Sequence, residues 1–418
     1  MNKQTVRAAL AAITLAGVAG ATGAQTIKLA YIEVLSGPLG AVGELGSKNL
    51  QFVIDELNAR GGVLGGRKFE MLPFDSKGSP QEALAALKSA TDQGIPFIVQ
   101  GNSSAVAGAL VDAINKHNER NPAKRVMFLN FAAIDPDLTD EKCSFWHFRF
   151  DSHVDMKMHG ITNAIKADPK VKKVFLINQD YAFGHQVTRA AKEMLAAKRP
   201  DVQVVGEDLH PLGRVKDFAP YVAKIRAAGA DTIITANWGQ DLTLLVRAAK
   251  DSKLDVDWYT YYAGAYGSAA AIGDAGIGRV KNIVEWNPNV VNPKMDAFYA
   301  AYKAKWPAPA DEFFYYRMKV MMGMLGTALE QAKDTDVQKV ASTLEGMTWQ
   351  GDVGEVTMRK NDHQLLQPLY IPTFAKVGSG GVRVSLEGSG YGFGNALVVP
   401  AAETALPSSC RMQRPSAP

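Results

Sequence analysis

The sequence predicts an α/β fold built from two doubly wound parallel sheets. Two observations carry this. A strand–helix rhythm occurs twice, once in each half of the chain, and such alternation is the pattern of a parallel sheet covered by helices on both faces. A length of 418 residues also makes two domains the natural expectation, each able to form a core without help from disulfides.

In the first half, the alternating apolar stretch 27–35 reads as a strand running into a loop with glycines at 37, 40, 43 and 46. A helix follows, with Leu50, Val53, Ile54 and Leu57 on one face and Gly61 and Gly62 ending it. Further strands are expected at 69–74, 96–100 and 126–131. One intervening helix has a marked start: Ser79 as N-cap, Pro80 in the first turn, Glu82 three residues after the cap, and Gly94 at its end. In the second half, strands are expected at 171–177, 202–207, 232–236 and 258–262, with helices near 185–198, 218–228 and 242–250. Between the halves, 143–151 (CSFWHFRFD) is aromatic and lacks helical caps, so it reads as a strand crossing from one half to the other. A section near 280–288, a long Met-rich helix around 315–333 and a β-rich stretch from 353 to about 399 follow. The residues 401–418 are expected to be an irregular tail.

Residues 1–24 read as a secretion leader: Lys3 and Arg7 at the start, an apolar run 8–18, and small residues 19–24 for cleavage after Ala24 or Ala21. The run is too short to span a bilayer. No cysteine follows the leader, so a lipid anchor is not expected. The mature chain is therefore expected to be exported, soluble and not membrane-spanning. Net charge is +4, two units of which belong to Lys3 and Arg7. With no basic block, a nucleic-acid surface has no support. The two cysteines, Cys143 and Cys410, suggest one bridge in an oxidising compartment, two unpaired thiols being the alternative.

In open α/β sheets, ligands sit outside the carboxyl ends of the strands. Those ends carry Ser103 and Ser104 after the third strand and Ala132, Ala133 and Ile134 after the fourth. In the second half they carry Tyr181 and Phe183, Trp238, and Tyr262 and Ala263. One wall is small and polar and the other aromatic, which suits a small carboxylate with an apolar body. Ser103 and Ser104 open a helix, where they either cap it or bind an anion with the help of the helix dipole. Trp238 is either a buried anchor or a platform for ligand.

Other chemistries fit less well. The glycine stretch lacks both G-x-G-x-x-G and a G-K-[ST] ending, so close backbone packing is the better account. GNSSA misses the G-x-S-x-G elbow because Ala105 stands where the second glycine belongs. Asp151, His153 and Asp155 have a spacing that suits metal ligation only on a strand, and a helix start is expected there. No metal and no cofactor is expected.

Taken together, SGPLGAVGELG at 36–46, LNARGG at 57–62, DSKGSPQEA at 75–83 and DPDLT at 135–139 identify a resemblance. The mature chain resembles the periplasmic substrate-binding proteins of leucine/isoleucine/valine-type ABC importers. The resemblance implies two lobes joined by three crossing segments, with 26–148 plus 288–358 as lobe 1 and 149–287 plus 359–400 as lobe 2. It implies ligand held in the interlobe cleft, hinge closure, periplasmic location and delivery to an inner-membrane ABC permease, and a monomer is expected. It places the carboxylate-holding serine at Ser104 and a backbone-contacting alanine at Ala133. It places cleft aromatics near Phe183 and Trp238. The hydroxyl that would meet the ligand's amino group falls on Ile134, and the acidic partner of that group falls near Ala263. Neither can accept a proton from an ammonium group through its side chain. The carboxylate end is thus kept and the amino end lost, which favours an aromatic or aliphatic acid without an α-amino group over an amino acid. The alternatives are a ligand-sensing module for a membrane receptor and an exported serine esterase using Ser104. No enzymatic activity is expected.

Overall fold

β1 (Ile27–Glu33) is buried at every position but one, which marks a central strand covered on both faces. It pairs in parallel with β2 (Phe69–Asp75) on one side and β3 (Phe97–Gln100) on the other. In this computed structural model, which describes residues 26–416, β4 (Met127–Asn130) and β5 (His147–Arg149) complete a sheet of order β2-β1-β3-β4-β5. Helices α1 (Gly40–Ala59), α2 (Pro80–Asp92) and α3 (Ser104–Arg120) link the strands. The expected leader lies outside the described residues.

The chain then leaves this sheet. α4 (Val154–Ala167), β6 (Lys173–Gln179), α5 (Ala182–Lys198), β7 (Gln203–His210) and α6 (Ala219–Ala227) repeat the rhythm. β8 (Thr232–Thr235), α7 (Gln240–Asp251), β9 (Asp257–Thr260), α8 (Ser268–Ile272) and β10 (Val280–Asn282) continue it. It returns to the first layer as α9 (Pro293–Lys305), α10 (Tyr316–Ala332) and α11 (Val337–Leu344), followed by a small antiparallel sheet of β11 (Thr348–Gly351), β12 (Gly354–Met358) and β13 (Leu365–Leu366). A last passage brings β14 (Leu369–Lys376) and β15 (Tyr391–Val399) into the second sheet, of order β15-β14-β10-β9-β8-β6-β7. β14 enters antiparallel to β10. The short helix α12 (Ala401–Thr404) opens the tail.

Each sheet has its own hydrophobic cluster, one running from Ile27 to Phe150 and again from Trp286 to Leu365, the other centred on 154–283 and 369–399. The seam departs slightly from the expected limits. Trp286 packs on Tyr299 and Phe313 of the first core, and Met358 pairs with Leu365, so the last passage falls after Leu366 rather than at 358/359.

Two expectations about helix starts are corrected. The glycine stretch is mostly helix rather than loop, because α1 begins at Gly40. A Cβ on Gly43 would stand 2.0 Å from the Val34 carbonyl oxygen, and one on Gly46 2.3 Å from the Tyr31 hydroxyl. The glycines let α1 lie directly on β1. Gly43→Ala is therefore expected to cost about 1–3 kcal/mol by forcing helix and strand apart. Gly108, whose nearest neighbour would be 4.0 Å away, should accept alanine at no cost. Urea denaturation of both variants checks this, and a Gly43→Ala protein as stable as the parent contradicts the packing account. Ser79 occupies the N-cap position of α2, but its side chain makes no capping hydrogen bond. Pro80 supplies the start instead, with its backbone angle already helical.

Cys143 and Cys410 are joined across 267 residues. The tail also donates from Ser408 Oγ to the Thr139 carbonyl at 3.3 Å and pairs Arg414 with Glu345 at 2.8 Å.

Candidate functional site

The site starts from a buried acid. Glu33, the last residue of β1, is fully buried. Its carboxylate accepts hydrogen bonds from the backbone N–H groups of Gly101 (2.6 Å), Asn102 (2.8 Å) and Val34 (3.2 Å) and from Asn102 Nδ2 (3.1 Å). Burial pushes its pKa up to about 7, against the pull of those donors. Glu33 thereby fixes the turn that leads into α3. Ser103 caps α3 with φ +90° and accepts from the Val106 N–H at 3.4 Å. Such a backbone angle in a residue with a Cβ is strained and is held only by its surroundings. Ser104 is the first residue of α3. Its Oγ accepts from the Asp135 N–H at 3.2 Å, which leaves its own O–H free to donate.

The opposite wall is aromatic. Trp238 follows β8 and donates from Nε1 to the Tyr181 hydroxyl at 2.9 Å. Phe183 packs between Tyr181 and Tyr262, with centroids 5.8 and 6.2 Å away. The start of α10 closes the third side with Phe314, Tyr315 and Arg317. Tyr315 donates to Asn102 Oδ1 at 3.1 Å and meets the Tyr266 hydroxyl from the second sheet, so one hydrogen-bonded chain spans both walls.

Between these walls lies a cavity of about 360 Å³. Arg317 carries the only formal charge among its lining residues. The guanidinium is fully buried, bonded through Nε to the Phe131 carbonyl at 2.5 Å and through Nη1 to Glu285. Asp151 lies 3.3 Å from Nε and is itself paired with Lys157 at 2.8 Å. Burial opposes the charge on Arg317, but Asp151 and Glu285 outweigh it and hold the arginine firmly protonated. Its Nη2 has no hydrogen-bond partner. A buried donor without an acceptor beside an empty cavity is a place for an anion.

A family model described as Periplasmic binding protein matches residues 26–380. The chain belongs to the periplasmic binding proteins. It is 32% identical over 424 residues to a Leu/Ile/Val-binding protein homolog 4 of Brucella melitensis, covering 97% of each chain. A Brucella ovis leucine-, isoleucine-, valine-, threonine- and alanine-binding protein in its closed conformation superposes with a TM-score of 0.82 at 30% identity, covering 94% of this chain and all of that one. A solute binding protein of an ABC transporter from Rhodopseudomonas palustris BisB5, in complex with 3,4-dihydroxy benzoic acid, superposes with a TM-score of 0.76. It is 18% identical, over 90% of this chain and 98% of that one. This periplasmic binding protein is thus of the branched-chain amino-acid type that serves ABC transporters. None of its described helices is long and apolar enough to cross a membrane.

In this binding protein, Ser103, Ser104, Ala132, Ile134, Tyr181, Phe183, Trp238 and Tyr262 all line the cavity. Ala133 and Ala263 do not. The backbone of Ala133 is turned onto Asn130, which accepts from its N–H at 2.8 Å and donates to its carbonyl at 2.9 Å. The Ala263 N–H is taken by Asn282 Oδ1 at 3.0 Å. Both alanines therefore shape the walls from behind. The DSHVD stretch opens a helix: His153 caps α4 by accepting from the Asp155 N–H at 3.2 Å, and Asp155 pairs with Arg189 at 2.7 Å. No cluster of three or more potential metal ligands occurs among the described residues.

Residue-level reading missed Arg317, Tyr315, Phe314, Tyr266 and Val42 as cavity residues. One signal was available for Arg317: a charge near the start of a helix whose other positions are mostly Met, Leu and small residues. A charge that sits among buried positions has a partner or a purpose.

Proposed function

We propose that this protein is the exported solute-binding component of an ABC importer and carries a small carboxylate without an α-ammonium group. The leader is cleaved, the mature protein is an unlipidated monomer, and its cargo passes to an inner-membrane permease. The observation that carries the ligand class is Arg317: the sole formal charge on the cavity wall is a cation with a free donor, and no carboxylate lines the cavity to meet an ammonium group. Ser104 O–H and the N-terminus of α3 add donors on the neighbouring wall. Tyr181, Phe183, Trp238 and Tyr262 offer faces to an apolar body, and a ring fits them best. The BisB5 protein holds an aromatic acid in a comparable fold, which accords with this choice. Parting of the lobes admits the ligand, and closure buries it.

A thermal-shift screen of amino acids against aromatic and aliphatic acids tests the class, since a ligand at a hundredfold excess over its Kd raises stability by about 2.7 kcal/mol. Ser104→Ala is expected to weaken the best carboxylate by about 1.5–3 kcal/mol, one to two decades in Kd. Calorimetry showing unchanged affinity removes Ser104 from the site.

A further inference from the structure

Behind Phe314 lies a second enclosed space. Its unfilled volume of about 380 Å³ matches the roughly 360 Å³ of the ligand cavity, and Phe314 is a wall of both. It sits where the chain passes from β10 to α9, so its walls come from both cores. Val284, Phe313, Leu386 and Phe393 make most of the surface apolar.

Two polar groups in this chamber lack partners. Trp286 is 3% exposed and its Nε1 donates to nothing. Asn287 is 8% exposed; its Oδ1 accepts from the Asn289 N–H at 2.9 Å, but its Nδ2 is unpartnered. Buried N–H groups are nearly always satisfied in folded proteins, so two on one cavity wall point to an occupant with an acceptor. The one charged group is Glu312. Its carboxylate is already satisfied by the Tyr299 hydroxyl at 2.5 Å and the Glu387 N–H at 2.8 Å, and its negative potential turns anions away. The chamber is thus chemically the reverse of the ligand cavity, where the wall charge is positive.

We propose that this chamber is a second binding site, for a neutral molecule with a single ring or short apolar chain and one acceptor oxygen directed at Trp286 Nε1 and Asn287 Nδ2. An occupant there bridges both cores beside a crossing segment and so opposes opening of the lobes. The inference does not depend on the identity of the transported acid.

The test uses the whole exported protein labelled with ¹⁵N, and acetophenone as probe. The indole N–H signal of Trp286 is assigned among the six tryptophans by its loss in Trp286→Phe. Acetophenone is expected to move that signal saturably while Trp238, in the ligand cavity, stays in place. Ethylbenzene, which lacks the oxygen, and the Asn287→Leu protein with acetophenone should each bind about fivefold or more weakly, roughly 1 kcal/mol. Benzoate should leave Trp286 where it is. A Trp286 signal unmoved to the solubility limit of acetophenone overturns the site. Equal response to ethylbenzene, or no effect of Asn287→Leu, overturns the assigned donors. Movement of Trp238 alone places the ketone in the ligand cavity and ends the proposal.

Discussion

Arg317→Met is expected to destabilise the protein by about 3–5 kcal/mol and to abolish measurable binding of its carboxylate ligand. Arg317 lies between two of the segments that join the sheets. Asp151 follows β5 and Glu285 follows β10, and the guanidinium touches both. Without it, two fully buried carboxylates share Lys157 alone. The loss should depend on pH. Removing the cation raises the folded pKa of these acids above their unfolded values, so the variant binds protons more tightly folded than unfolded. Its stability then falls as pH rises through the carboxylate range, and its deficit against the parent is larger at pH 7.5 than at pH 5. Arg317→Lys keeps a charge and should recover part of the stability, but it lacks the planar fork and should still bind ligand poorly. Urea denaturation at both pH values reads the first effect and calorimetry the second. A deficit under about 1 kcal/mol at pH 7.5 contradicts the role given to the cluster.

Replacing Cys143 and Cys410 together by serine is expected to cost about 2–4 kcal/mol. The closed loop of 267 residues spans nearly the whole second sheet and the return helices, so the bridge restricts the unfolded chain over most of its length. The sign is the same whether the gain comes from that restriction or from better contacts in the folded tail. The tail keeps its Arg414–Glu345 and Ser408–Thr139 contacts without the bridge, but these are largely exposed and hold little. Chemical denaturation of the double variant against the parent reads the difference. A change below about 0.5 kcal/mol means that the tail merely lies on the surface and constrains nothing.

The parallel strands were legible in the sequence because strands buried on both faces are continuous apolar runs. FIVQ in β3 and TIIT in β8 are buried at every position. The start of α1 was not legible. Glycines at every third residue suggest a mobile loop, and only the Val34 carbonyl, brought close by the fold, shows that they serve helix-on-strand contact. The same division holds for the site. Ser104, Phe183 and Trp238 were found because the topology of an open sheet says where its strand ends lead. Arg317 escaped because it reaches the cavity from a helix more than two hundred residues beyond Ser104, and its partners Asp151 and Glu285 come from two further segments. Ala133 and Ala263 fell in the right loops, but Asn130 and Asn282 take their backbone groups, a detail set by side chains packed behind the wall.

Matched ligands test the central claim most directly. Leucine is compared with 4-methyl-2-oxopentanoate, and phenylalanine with phenylpyruvate, by titration calorimetry on the same preparation. Each pair shares its carboxylate and apolar body and differs at the α-position. With Arg317 as the only charge on the wall, an ammonium group enters without a partner while the carboxylate is met in both cases. The account predicts tighter binding of the keto acid in both pairs. Leucine or phenylalanine winning by tenfold or more, about 1.4 kcal/mol, contradicts it and restores an amino acid as the cargo.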